Sequence, residues 1–343
     1  MLEISRWPAT CEIHLNDEAS LAWFGNWKMG CYCDYCRAQF REVAGADPPV
    51  ERDGDDPLWH AWIEYRFDQW IAVHAEFRAE IHKVRSDIAV GQQHSPAIPE
   101  RMYNAYLYGI DLARQVKTLD VVCTDPYHYN HAKEFNHRPH RRILTEGVRS
   151  LMGAAYGCQV DIYTQAFMPN TLAVPMGRQD GLLEGVVPFA LGADMVVPFT
   201  YELMKIIPGF FEAFQDTRNL LPVFAAHDPY AFATVVMPHQ SEVRGHHQSH
   251  WGIEHLQKLV DIFYQTGLSW CWCWDGRLTD DTSALKGPLI LPETHCLTAE
   301  QIAAVHVRED NILFVMILKL LVVGSETCLL YTSDAADEGL GVD

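Results

Sequence analysis

Apolar and polar positions alternate at period two in a short early stretch. Ile13 and Leu15 fall on one face, and His14, Asn16 and Glu18 on the other. This predicts a strand over Glu12–Asn16. A long 3.6-residue pattern follows from about Asp56 to Val84. Trp59, Trp62, Ile63, Phe67, Trp70, Ile71, Val73, His74 and Phe77 mark its core side. Strands and helices then take turns. A strand over Asp87–Gln93 leads to Gln92-Gln93-His94-Ser95-Pro96. A helix over Met102–Thr118 leads to a strand over Leu119–Thr124, ending Asp125-Pro126-Tyr127. A helix over Arg141–Tyr156 leads to a strand over Val160–Thr164, ending Gln165-Ala166-Phe167. A helix over Asp180–Leu191 leads to a strand over Asp194–Phe199, ending Thr200-Tyr201-Glu202. Such a βα succession builds parallel sheet. Each strand tip is polar or aromatic, as at the mouth of an α/β barrel.

After Pro222 the spacing changes. Strands are expected over Tyr230–Met237, Leu268–Trp274, 285–292 and Ile312–Val315, with helices over Trp251–Thr266 and Thr298–Val305. Thr298 followed three residues later by Gln301 reads as a capping box. This is a doubly wound α/β pattern. Cys271 and Cys273 alternate with Trp270, Trp272 and Trp274, which fits buried packing better than a metal site.

The chain has 343 residues, 48% of them hydrophobic, enough for more than one core. A net charge of −19 argues against nucleic acid and anionic membrane as partners. Ten scattered cysteines suit a reducing compartment better than a disulfide framework. No signal peptide is visible after Met1, so a cytoplasmic location is expected, with export left open if the natural N-terminus lies upstream. The apolar run Ile312–Val323 is broken by Lys319 and is too short to span a bilayer. From Cys328 the chain reads CLLYTSDAADE, which looks like the translated adapter at the end of a metagenomic contig. Residues 328–343 are set aside as a non-native tail. Leaving out its four acids, Asp334, Asp337, Glu338 and Asp343, brings the balance from −19 to −15.

Two chemical signals share residues 11–36, CEIHLNDEASLAWFGNWKMGCYCDYC. Glu18 stands at a strand tip with Asn16 and His14 beneath it, as a catalytic carboxylate would at a barrel mouth. Asp17 and Glu18 would also suit the first turn of a helix. Cys31, Cys33 and Cys36 let three thiolates converge from one loop, which zinc favours. No fourth ligand is obvious, since Cys11 lies inside the strand. A reduced or disulfide-bonded surface turn is the plainer alternative. The histidines His128, His131, His137 and His140, and His246, His247 and His250, match no metal spacing and read as loop residues.

The stretch LNDEAS followed by GCYCDYCRAQFRE resembles the family 42 glycoside hydrolases, the β-galactosidases, and related hypothetical glycosyl hydrolases with barrel folds. In that family a strand ends in Asn-Glu, the Glu being the acid/base, and a C-x-C-x-x-C segment that binds zinc follows. Here Asp17 intervenes between Asn16 and Glu18. LPETHCLTAEQIAAV is similar to the trimerisation domain behind the family's barrel. The resemblance spans roughly residues 10–316. It makes Glu12–Asn16 strand 4 and the next four strands 5 to 8.

The resemblance implies an incomplete (β/α)8 barrel over residues 1–222 with a cysteine zinc loop, then a flavodoxin-like, trimerisation-like α/β domain over residues 228–323. It implies a structural zinc on Cys31, Cys33 and Cys36, with the family's fourth cysteine upstream of this chain. It further implies a carbohydrate substrate, a homotrimer and no redox cofactor. A barrel lacking three strands is expected to be inactive and poorly folded.

Glycoside hydrolysis needs two carboxyl groups, about 5–5.5 Å apart for retention and about 6.5–9.5 Å for inversion. Glu18 leads as acid/base. The family's strand-7 nucleophile is replaced by Gln165, which cannot act as one. Asp125 and Glu202 are the candidate second carboxylates. An α-galactosidase-like arrangement would make Asp17 nucleophile and Asp125 acid/base. An Asx-turn before Pro126 and a first-turn acid are their plain readings. Trp23, Tyr127, Phe167 and Tyr201 are candidates for stacking on sugar faces. Asn16, Gln92, His94 and Gln165 are candidates for bonding sugar hydroxyls. The expected function is a glycosidase; the alternative is a non-catalytic sugar-binding barrel that has lost its nucleophile. A metal-storage or redox role is the weakest reading, since no second C-x-x-C is present.

Overall fold

Five parallel strands pair in sequence order: β1 (Glu12–His14), β2 (Ala89–His94), β3 (Val121–Thr124), β4 (Gln159–Gln165) and β5 (Met195–Phe199). The structure, a computed structural model, describes residues 4–15, 31–51, 53–96, 109–128, 141–155, 157–167, 176–244, 250–280, 285–292, 294, 296–306, 312–313 and 321–322. Residues 328–343, Asn16, Asp17, Glu18, Trp23, His131, His137, His140, His246 and His247 lie outside them. The chain falls into two compact units. One comprises Met1–Ala19, Ile71–Ile98 and Arg114–Pro229, the other Ser20–Trp70, Pro99–Ala113 and Tyr230–Asp343.

In the first unit the register aligns Ile13 with Val90, Gln92 with Val122, Val122 with Val160, and Ile162 with Val196. Neighbours in register point to the same side of a sheet. That side is buried and mostly apolar, and the helices Arg141–Ala154 and Arg178–Ala190 pack along it. The opposite side carries Glu12, His14, Gly91, Gln93, Cys123, Asp161, Tyr163, Gln165 and Phe199. This side is concave. Strands β1 and β4 are three spacings apart, about 14 Å in a flat sheet. Yet ligand atoms of Glu12, His14 and Asp161 come within 4.8 Å of one another. Only a sheet curled like part of a barrel brings them so close.

Helix Arg178–Ala190 begins earlier than the apolar pattern suggests, because the Asp180 carboxylate accepts from the Gly177 amide at 2.8 Å and caps its start. It runs very close to helix Phe210–Asp216, a segment the pattern missed. A side chain at Gly181 would lie 2.3 Å from the Phe210 carbonyl oxygen. Nearby, Ala166, Met176, Met204, Ile207 and Phe210 pack into an apolar cluster.

The long helix is Pro57–Val84, and the Asp56 carboxylate caps it by accepting from Leu58 N at 2.8 Å. Its residues to Trp70 belong to the second unit and the remainder to the first. Within the second unit Phe40, Trp59, Trp62, Ile63, Phe67 and Val243 form a core. Val73 and Phe77, expected inside, are 38% and 39% exposed. The buried stripe follows Phe67, His74 and Ile81 at seven-residue steps, and Val73 and Phe77 fall beside it.

The second unit also holds β6 (Ala233–Met237), β7 (Trp270–Trp274), β8 (Leu289–Ile290), β9 (Cys296–Leu297), β10 (Ile312–Leu313) and β11 (Leu321–Val322). One parallel sheet has the order β10-β8-β6-β7, and β11 pairs with β9. The chain thus winds from β6 first to one side and then to the other. The strand expected over 285–292 shrinks to two residues. Pro288 and Pro292 flank it and cannot donate to a ladder, and Gly287 turns at φ +60° against the Phe232 carbonyl. The capping box at Thr298 forms in full: Gln301 N donates to Thr298 Oγ1 at 3.2 Å and Thr298 N to Gln301 Oε1 at 2.7 Å. Trp270, Trp272, Cys273 and Trp274 are buried, as packing residues should be. Among the described residues no helix is long and apolar enough to cross a membrane.

Candidate functional site

The C-terminal ends of β3, β4 and β5 bring three aromatic rings together in the first unit. Tyr127 stacks on Phe199 at 5.8 Å between centroids and meets Phe167 edge-on at 5.3 Å. Phe167 meets Phe199 edge-on at 6.0 Å. Phe199 is nearly half exposed, so the cluster offers an open apolar surface. Quadrupole attraction favours these offset and T-shaped pairings and keeps the rings in place. Tyr127 and Phe167 were legible as tip aromatics. Phe199 was not, because it reads as the last core residue of its strand.

Polar groups continue the concave face below the rings. Gln165 is fully buried, and its amide donates to the Phe167 carbonyl at 3.2 Å. Gln93 shares this side through its pairing with Cys123. Asp125 directly follows β3 and is buried. Alternation carried one residue past Thr124 assigns it to the Cys123 side. Its carbonyl accepts from Tyr127 N at 2.6 Å, tightening the turn at Pro126.

Gln92 and His94 face the other way. The His94 ring lies 6.3 Å from that of His74 on the long helix, and both are buried. Burial pushes the His74 pKa down to about 4. Burial, with His74 adding, pushes His94 down to about 3. Both are therefore neutral at pH 7. His128 is also on the helix side, its Nε2 3.4 Å from a Glu184 carboxylate oxygen.

Glu202 and Tyr201 sit in the short helix Tyr201–Met204. The Glu202 side chain is 81% exposed and pairs with Lys205 at 3.4 Å. Lys205 Nζ lies 4.0 Å from the centre of the Tyr201 ring, and Phe211 meets that ring edge-on at 5.9 Å.

Deeper on the concave face Glu12, His14 and Asp161 converge. Burial pushes the Asp161 carboxyl up to about 6; Gln159, donating at 2.9 Å, works against this, and Glu12 adds to it. Sequence reasoning saw only His14, as part of the stack under Glu18. Asp161 sits too far along the chain for any spacing rule to link it.

In the second unit Cys31, Cys33 and Cys36 bring their sulfurs within 4.8 Å of one another. Cys33 is the N-cap of helix Asp34–Ala44. The Cys36 amide, then the Cys31 and Cys36 thiols, lower the Cys33 pKa to about 7. Cys36 is pushed up to about 11, by burial first and then by its sulfur neighbours. A helix N-terminus stabilises one thiolate, and each further thiolate beside it needs a counter-charge. The donor set therefore fits a thiophilic metal through three ligands. Buried Arg66, stacked over Trp62 at 5.2 Å, adds positive charge nearby.

No protein-family model and no curated protein matches the chain. Solved structures do. The β-galactosidase of the psychrophilic Marinomonas ef1 superposes with a TM-score of 0.67 at 10% identity, over 91% of this chain and 56% of that one. The polyextremophilic β-galactosidase of the Antarctic haloarchaeon Halorubrum lacusprofundi gives 0.64 at 14% identity, over 91% and 54%. The β-galactosidase of Bacillus circulans sp. alkalophilus gives 0.62 at 15% identity, over 89% and 51%. The chain spans about half the length of these enzymes. At such identities the likeness is one of fold, a glycoside hydrolase-like fold that this chain shares over most of its length.

Proposed function

We propose that this chain belongs to a glycoside hydrolase of the family 42 type and holds a sugar on the concave face of its first sheet. The observation that carries the reading is the aromatic surface of Tyr127, Phe167 and Phe199, set above inward Gln165 in a β-galactosidase-like fold. Sugar C–H faces stack on such rings, and Gln93 and Gln165 supply amides for hydroxyls. Glu18 is the proposed acid/base and Asp125 the second carboxylate, since buried Asp125 directly follows β3 and its carbonyl accepts from the Tyr127 amide. Cys31, Cys33 and Cys36 would hold a structural zinc, which supplies no step of the hydrolysis.

The test, made on the full-length protein, pairs calorimetric binding of galactose and lactose with hydrolysis of aryl β-galactosides. Tyr127→Ala is expected to weaken sugar binding about tenfold, about 1.4 kcal/mol. Asp125→Asn is expected to abolish hydrolysis and leave binding within a factor of about two. Absence of sugar binding, or unchanged hydrolysis by Asp125→Asn, refutes the assignment. The second reading, a sugar-binding barrel without catalysis, is favoured by Gln165, whose amide cannot replace a nucleophilic carboxylate. It predicts binding without turnover by the unaltered full-length protein.

A further inference from the structure

We propose that Glu12, His14 and Asp161 form a binding site for a divalent cation of the Mn2+ class on the concave face of the first sheet. The inference stands apart from the sugar chemistry and uses neither the aromatic rings nor the cysteines.

The geometry is close to that of a metal site before loading. One ligand atom from each of the three side chains lies within 4.8 Å of the others. Two ligands bound at about 2.0–2.2 Å to one ion can be at most about 4.4 Å apart. Loading an ion would replace the short Glu12–His14 hydrogen bond by two bonds to the metal, those two atoms moving apart. The three groups come from β1 and β4 and meet only because the sheet curls.

Asp161 supplies an independent observation. It is fully buried. One carboxylate oxygen accepts from Gln159 Nε2 at 2.9 Å, and the other, Oδ2, has no hydrogen-bond partner among the described residues. A buried, half-satisfied carboxylate is costly unless something positive meets it. A cation between it and Glu12 would do so.

His14 is already oriented for ligation. Its Nδ1 lies 3.4 Å from Cys123 Sγ, and its Nε2 is hydrogen-bonded to the Glu12 carboxylate. The Cys123 contact fixes the ring, and an ion would take the place of the proton that Nε2 shares with Glu12. Gly91 makes room for that ring, since a side chain there would lie 2.9 Å from His14 Cε1. The Glu12 and His14 side chains remain 19% and 24% exposed, which gives an ion a way in. Three protein ligands leave further positions for water or a ligand oxygen.

One imidazole and two carboxylates suit Mn2+, Fe2+ or Zn2+, whereas the thiolates of Cys31, Cys33 and Cys36 select softer ions. Mn2+ therefore separates the two sites. The full chain, stripped with chelator, would be titrated with Mn2+ while electron paramagnetic resonance follows the free ion. Saturable uptake of a single ion per chain is expected. Asp161→Asn and Glu12→Gln should each weaken it at least tenfold, and Cys33→Ser should leave it unchanged. Glu12→Gln is the safer variant, because Glu12 is only partly buried. No uptake, uptake that survives both carboxylate changes, or uptake lost in Cys33→Ser overturns the proposal.

Discussion

The paired histidines His74 and His94 make the first unit sensitive to acid by an amount the structure sets. Their rings are 6.3 Å apart and buried, with folded pKa values near 4 and 3. An unfolded histidine titrates near 6.5. Both folded values lie below the unfolded one, so the unfolded chain binds more protons between them. The stabilising contribution is fully present above about pH 6.5 and is lost as the pH falls toward the folded values. At pH 5 an unfolded histidine is protonated about thirty to one, whereas each folded ring stays neutral. Moving from pH 7 to pH 5 therefore costs about 2 kcal/mol per histidine, or about 4 kcal/mol for the pair. A domain's whole stability is typically about 5–15 kcal/mol. The perturbation is the double variant His74→Leu/His94→Leu, compared with the parent by urea unfolding under tryptophan fluorescence at both pH values. Other titrating groups, Asp161 among them, are common to the two proteins and cancel. The parent should lose about 4 kcal/mol more than the variant on acidification. Equal losses would mean that the rings are accessible to protons in the folded state, and the burial argument would fail.

Gly181→Ala should destabilise the first unit by about 1–3 kcal/mol, because the new methyl would meet the Phe210 carbonyl at 2.3 Å. Alanine is the better helix former by about 1 kcal/mol, so an unchanged or raised melting temperature would refute that close approach. In metal-free protein at pH 7, iodoacetamide should label Cys33, held near 7, well before Cys36, near 11, and Cys158 or Cys273, near 12. Peptide mass spectrometry reads the order, and equal rates would refute the thiolate assignment.

Much of the architecture was legible because it depends on neighbours in sequence. Period-two alternation set Ile13 against His14, and helical spacing set the stripe through Trp59, Trp62, Ile63 and Phe67. Thr298 and Gln301 announced their capping box by spacing alone. The cysteine cluster was equally local, since three sulfurs on one loop cannot be far apart. Parity was harder. A run reading Gln92-Gln93-His94 does not say which residue faces inward, and a slip of one residue sends each side chain to the opposite face. Only the pairing of Gln93 with Cys123, and the contact of His94 with His74, decided it. Curvature was beyond the sequence altogether. Whether Asp161 meets Glu12 and His14, or Phe199 meets Tyr127, depends on how far the sheet bends across several strands. That bend is the summed twist and packing of strands distant in the chain, a property no local pattern carries.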